Sequence, residues 1–140
     1  MTKKYKILAR FVRDMSSETP DIDAYIFVKD NISNYSLQYD IKSKPLKNKI
    51  IQVETKLIYS DKSENKKKSY FEMIFVTIIR LDDNLDNKSD LGKLILCDLQ
   101  NEIYPDLEKT FLNMLHGSGY PDLKFKKKID FEELYKKNFN

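Results

Sequence analysis

Two residues have the chemistry of a nucleophile and its base, Cys97 and His116, and the chain holds one of each type. A thiolate of this kind needs a base within reach, a group orienting that base, and donors for the developing oxyanion. Cys97 lies among Leu94, Ile95, Leu96 and Leu99, the setting of a small buried hydrophobe. His116 falls at the end of a helical stripe and suits the negative end of a dipole. No orienting acid or oxyanion donor is identifiable for either, and the chain reads as a non-enzyme. Gly92, Gly117 and Gly119 cannot form a phosphate-cradling loop. The acidic pairs Asp82-Asp83 and Glu132-Glu133 lack apolar neighbours that would raise a pKa. The acid-rich stretch 81–89 fails as a calcium loop, because Asn87 and Lys93 stand where glycine and glutamate are required. One Cys and one His fall short of a structural zinc set. No metal or cofactor is expected, and the work left for the chain is binding.

Charge and composition bound the partners. Twenty-five Lys and Arg against twenty-two Asp and Glu leave a net charge of +3. The runs Lys66-Lys67-Lys68 and Lys126-Lys127-Lys128 are read as solvated loop charges; a nucleic-acid-binding module is the alternative. Only Arg10, Arg13 and Arg80 are available for bidentate contacts. A single Cys excludes a disulfide framework within one chain. No apolar core of about 7–15 residues follows Met1, and no run approaches the roughly 20 apolar residues of a membrane span. A cytoplasmic protein is expected. With 140 residues, 41% hydrophobic and 12% aromatic, residues 1–140 are expected to form one domain.

The elements that position these residues follow from periodicity. Residues 4–14 alternate, with Tyr5, Ile7, Ala9 and Phe11 read on one face and Lys6, Leu8, Arg10 and Val12 on the other. Residues 15–30 read as a loop followed by a short apolar segment, Tyr25 to Val28. Residues 34–44 and 49–60 alternate around Pro45-Leu46-Lys47-Asn48 and predict a hairpin, with Pro45 setting the bend. The nearly continuous apolar run 70–79 predicts a central or interface strand. Short connections make all four strands antiparallel. Beyond residue 89 the period changes to that of a helix, with Ile103, Leu107, Phe111 and Met114 on its stripe. Pro105 is read at the first helical position and Gly117 as the C-cap, with 90–100 an earlier helix or a kinked extension. Asp130-Phe131-Glu132-Glu133 has the spacing of a capping box and predicts a last short helix with Phe131, Leu134 and Tyr135 on one face. The fold class expected is α+β: a four-stranded antiparallel sheet followed by two helices packed on one face.

Four segments together resemble the SecB protein-export chaperones. Arg10-Phe11-Val12-Arg13-Asp14-Met15-Ser16-Ser17-Glu18-Thr19-Pro20 is similar to that family's first-strand signature. Ile103-Tyr104-Pro105 resembles its Leu/Ile-Phe-Pro, and Gly119-Tyr120-Pro121-Asp122-Leu123 its Gly-Phe-Pro-Pro-Leu. Ile129-Asp130-Phe131-Glu132-Glu133-Leu134-Tyr135 resembles Ile-Asp-Phe-x-x-Leu-Tyr, in order and near the right spacing. The chain departs from the family in its basic balance and in Leu99-Gln100, where Cys-Pro is usual. The resemblance implies a SecB-like homotetramer, a dimer of dimers, that holds unfolded secretory preproteins without ATP and passes them to the SecA motor. It implies SecA docking through Asp14, Glu18 and Glu72, with Tyr70 on the same face as Glu72. A client groove is expected from Tyr25, Phe27, Tyr35, Leu37, Tyr39 and Ile41, residues that fit an ordinary sheet core equally well. A chaperone dedicated to another client, such as an antitoxin, is an open alternative.

Overall fold

The computed structural model describes residues 4–61, 69–83, 88–125 and 129–139. Its strands are β1 (Tyr5–Glu18), β2 (Tyr35–Pro45), β3 (Ile50–Asp61) and β4 (Tyr70–Leu81), and its helices α1 (Ile22–Asp30), α2 (Lys88–Lys93), α3 (Leu99–Gly117) and α4 (Phe131–Phe139). The strands form one antiparallel sheet in the order β1-β4-β3-β2. A turn of π-helix, Leu94–Asp98, joins α2 to α3 without a break, making one rod over residues 88–117. The lysine runs 66–68 and 126–128 and residues 84–87 lie outside the described residues.

The rod covers one face of the sheet. Odd-numbered β3 and β4 residues such as Val53, Leu57, Phe71, Met73 and Ile79 are fully buried against Leu99, Ile103, Leu107, Phe111 and Leu115. Each such side chain contributes about 1.5–3 kcal/mol on leaving water. The even-numbered face carries no helix. There Gln52, Glu54, Lys56, Ile58, Glu72, Ile74 and Ile78 are half-buried, and Val76 is buried by its strand neighbours. β4 is thus a central strand, sealed on its helix side and only partly covered on the other.

Several elements differ from the sequence reading. β1 continues four residues beyond Asp14, and register shifts at Leu8 and Arg13 exchange its faces. Because Ala9 pairs with Ile78 and Phe11 with Val76, both lie on the open face, while Arg10 turns toward the rod and meets Asp106 at 3.1 Å. Strict alternation assigned them incorrectly, since each bulge shifts the side-chain phase by one residue. The segment after β1 holds helix α1, capped by Asp21, whose carboxylate accepts from the Ala24 N–H at 2.8 Å. The hairpin bend is made by Asn48 and Lys49, both left-handed at φ 63° and 61°, with the Ile50 N–H returning to the Lys47 carbonyl. Pro45 only ends β2. Pro105 lies inside α3. It and Asn101 are both exposed, so water can take the carbonyl that the missing N–H leaves free. Leu115, rather than Met114, completes the buried stripe. Ser118 caps α3, with its N–H on the Met114 and Leu115 carbonyls. The expected cap at Asp130 is present, its carboxylate accepting from the Glu133 N–H.

Gly119 makes the sharp exit from α3 at φ +113°, and an added Cβ would stand 2.5 Å from the Tyr25 ring. Tyr25 is fixed there, donating to the Gly119 carbonyl at 2.9 Å and stacking on Tyr120. Gly119→Ala should therefore destabilise the chain by about 1–3 kcal/mol in urea unfolding. Gly117→Ala, helical with nothing within 4 Å of the new methyl, should be neutral or stabilising by up to about 1 kcal/mol. Equal effects of the two substitutions would contradict this exit geometry.

Candidate functional site

A cleft of about 640 Å³ opens between β2, the segment after α3 and α4. Its walls include Ile32, Leu37, Tyr39, Tyr59, Phe125 and Leu134, with Lys124, Asp130, Glu133 and Lys137 at the rim. Alternation along β2 and β3 aims Leu37, Tyr39 and Tyr59 to the helix side of the sheet, where the rod stops short of them. Phe125 stands 5.4 Å from the Tyr59 ring and 6.2 Å from Phe111. Phe131 anchors α4 by packing on Tyr39 and Tyr104, with centroids at 5.2 and 5.5 Å. Cys97 is buried in the same small cluster, and burial raises its thiol pKa, so it is held as an unreactive thiol.

Beneath the cleft, Tyr39, Thr55 and Gln100 pair their polar atoms, while the buried Tyr104 hydroxyl beside them has no hydrogen-bond partner among the described residues. Tyr39 donates its hydroxyl to the buried Gln100 amide oxygen, which also accepts from Thr55 at 3.2 Å. The Gln100 amide nitrogen donates to the Ile95 carbonyl at 3.1 Å, inside the π turn, where the Leu99 N–H reaches back to Leu94. Burial pushes the Tyr39 hydroxyl far above its ordinary value, so it stays a proton donor at any physiological pH. Burial likewise pushes Tyr35 up to about 12.

The structure brings some of the groove candidates together and separates others. Leu37 and Tyr39 line the cleft. Tyr35 is 7% exposed and donates to the Ser69 carbonyl, so its ring belongs to the core. Tyr25 and Phe27 lie on α1, half-buried, with Tyr25 against Tyr120. Ile41 is half-buried further along β2. Sequence reasoning passed over Tyr59 and Phe125 as cleft walls. Tyr59 was read within its strand, and the alternation Leu123-Lys124-Phe125 was the signal for the other.

The acidic candidates share one end of the open face. Register places Asp14 opposite Ile74, Ser16 opposite Glu72 and Glu18 opposite Tyr70. Asp14, Glu18 and Tyr70 are exposed, and Tyr70 donates to Glu72 at 3.0 Å. Lys56 lies 2.9 Å from the same carboxylate, which holds Glu72 below the ordinary carboxylate value and Lys56 above its own.

Comparison with known proteins follows the same lines. The family model described as "SecB: Preprotein translocase subunit SecB" matches residues 1–140. A curated protein of Pelagibacter ubique, strain HTCC1062, named "Putative protein-export protein SecB", is 54% identical over 140 residues, spanning 100% of both chains. Among solved structures, the Mycobacterium tuberculosis Rv1957 SecB-like chaperone, in complex with a ChAD peptide from the Rv1956 HigA1 antitoxin, superposes with a TM-score of 0.65. That likeness has 9% identity, covers 89% of this chain and 91% of the other, and shows a shared fold.

Because Glu72 has a depressed pKa, its pair with Lys56 contributes stability above pH 4.5, its ordinary value, and loses it as pH falls through the lower folded value. Urea midpoints measured from pH 6 down to pH 3 should fall less steeply for Glu72→Gln than for the parent chain. Identical slopes would show that this carboxylate is not held ionised by its neighbours.

Proposed function

The chain belongs to the SecB family of preprotein-export chaperones, and from that premise we propose how it holds and delivers its clients. It acts as an ATP-independent holdase in the cytoplasm, taking apolar segments of unfolded preproteins into the cleft beside Leu37 and Tyr39. The observation that carries this reading is an apolar, aromatic-walled cleft with a charged rim. Apolar contact is non-directional, so such walls accept many sequences, while the rim keeps the unoccupied cleft hydrated. Tyr25, Phe27 and Ile41 extend the same apolar side of the molecule, and Tyr35 supports it from beneath.

The working form is a homotetramer, a dimer of dimers. Among the described residues β1 is a long edge strand with no strand on its outer side, and it exposes Leu8, Phe11, Val12 and Met15. A free edge with that much apolar surface favours pairing with a second copy. SecA docks on the acidic end of the open face, through Asp14, Glu18, Tyr70 and Glu72. A client other than preproteins, as with the antitoxin peptide on the Mycobacterium tuberculosis chaperone, is the second reading. The 54% identity to a protein named for export favours the first.

Light scattering of a denatured preprotein diluted into buffer without nucleotide should be suppressed by the chain, and Leu37→Asp should abolish that suppression while leaving the circular dichroism unchanged. Undiminished holding by a folded Leu37→Asp chain would sink the cleft assignment. The native mass should be that of four chains; a monomer at micromolar concentration would overturn the assembly. Asp14→Lys with Glu18→Lys should weaken SecA binding at least tenfold and leave client holding intact. Unchanged SecA affinity would remove the acidic end from its docking site.

A further inference from the structure

The open face is electrically divided, and its second end lies on the side of the sheet away from the cleft. Around the β2–β3 hairpin, register sets Arg80 between Lys6 and Ile50, with Lys42 and Lys44 opposite Glu54 and Gln52. Lys47 and Leu46 project from the turn, and Lys6, Lys42, Lys44, Lys47 and Arg80 are all exposed. Of the nearby acids, Glu54 pairs with Arg13 and Asp83 with Lys49 at 2.7 Å, which leaves the exposed Asp40 and Asp82 against five cations. Among the described residues, none of Lys6, Lys42, Lys44, Lys47 and Arg80 has a carboxylate partner. Alternate strand residues lie about 7 Å apart and neighbouring strands about 5 Å, so Lys42 and Lys44 on β2, and Lys6 and Arg80 on β1 and β4, form two pairs, each within a Debye length of about 8 Å, that flank β3 on one face.

We propose that this lysine-rich corner docks the chaperone on an anionic lipid bilayer, with Leu46 entering the headgroup region. Charge complementarity argues for the surface, and the side-chain types argue for lipid. Lysine is a strongly hydrated point charge suited to a diffuse anionic plane, whereas nucleic-acid grooves use arginine forks and stacked aromatic rings. The apex residue here is aliphatic, and Leu46 is 43% exposed. It is also held in place: its N–H donates to the Ile50 carbonyl at 2.7 Å, and the Lys49 carbonyl accepts from the Leu81 N–H at 2.9 Å. The pairing of several cations with one inserted apolar side chain matches the two-signal requirement for surface attachment. The corner lies at the end of the face opposite Asp14 and Glu18.

The test is flotation of the full chain, without client or SecA, on vesicles of phosphatidylcholine with 30 mol% phosphatidylglycerol, compared with phosphatidylcholine alone. Binding is expected on the anionic vesicles at low salt, falling steeply at high salt, and absent from the neutral ones. At about five-fold per lysine, Lys44→Gln with Lys47→Gln should weaken partition about 25-fold. Leu46→Ser should weaken it without changing the salt dependence. Lys29→Gln with Lys109→Gln removes the same charge elsewhere and should leave partition within two-fold. Equal losses for the two lysine pairs, equal binding to neutral vesicles, no flotation, or tighter binding of a labelled single-stranded RNA at the same salt would each overturn the proposal. A holdase assay on the same variants separates the two readings, because client holding should survive Lys44→Gln with Lys47→Gln.

Discussion

One sheet has two faces, and the chain supplies a rod long enough to cover only one of them. Burial of Val53, Leu57, Phe71, Met73 and Ile79 beneath residues 88–117 fixes the fold, and the surfaces proposed for function lie where that burial stops. The rod stops short of β2, and the aromatic cleft fills the space between that strand, Phe125 and α4. On the far side the sheet is left to polar and half-buried side chains. A chaperone needs apolar surface that does not collapse into its own core, and in the proposed reading the uncovered cleft is that surface.

The polar groups beneath the cleft follow from the same constraint. A tyrosine whose ring lines an open cleft must place its hydroxyl somewhere inside, and an unpaired buried hydroxyl costs about 1–3 kcal/mol. Gln100 answers that need, with Thr55 sharing its oxygen and the π turn offering the Ile95 carbonyl to its nitrogen.

Much of this was legible in the residues. Alternation marks β2 and β3 because each has one wet and one dry face, and the stripe Ile103, Leu107, Phe111 marks α3 because it packs on a flat sheet. The Asp130 cap is local chemistry and reads directly. What was not legible depends on context. The bulges in β1 add residues without any sequence flag and reverse which side Ala9 and Phe11 face. Helix α1 is rich in β-branched and aromatic residues, Ile22, Tyr25, Ile26, Phe27 and Val28, and its exposed Ile22 and Ile26 blur the amphipathic signal. Pro105 resembles a helix start because only the neighbouring exposed Asn101 reveals that its missing N–H costs little. Among the groove candidates, strand parity put Tyr35, Leu37, Tyr39 and Ile41 on one side of the sheet, and that is the side that carries the rod. Which of those side chains face an opening depended on where the rod ends and where α4 docks, and both are tertiary facts.

Hydrogen exchange of the intact chain, with and without a saturating unfolded preprotein, tests the central claim most directly. Client should slow exchange in β2 around Leu37 and Tyr39, in residues 123–125 and in α4, and leave the open-face strand β1 near Asp14 unchanged. Protection confined to β1 and β4, with none at the cleft, would contradict the account.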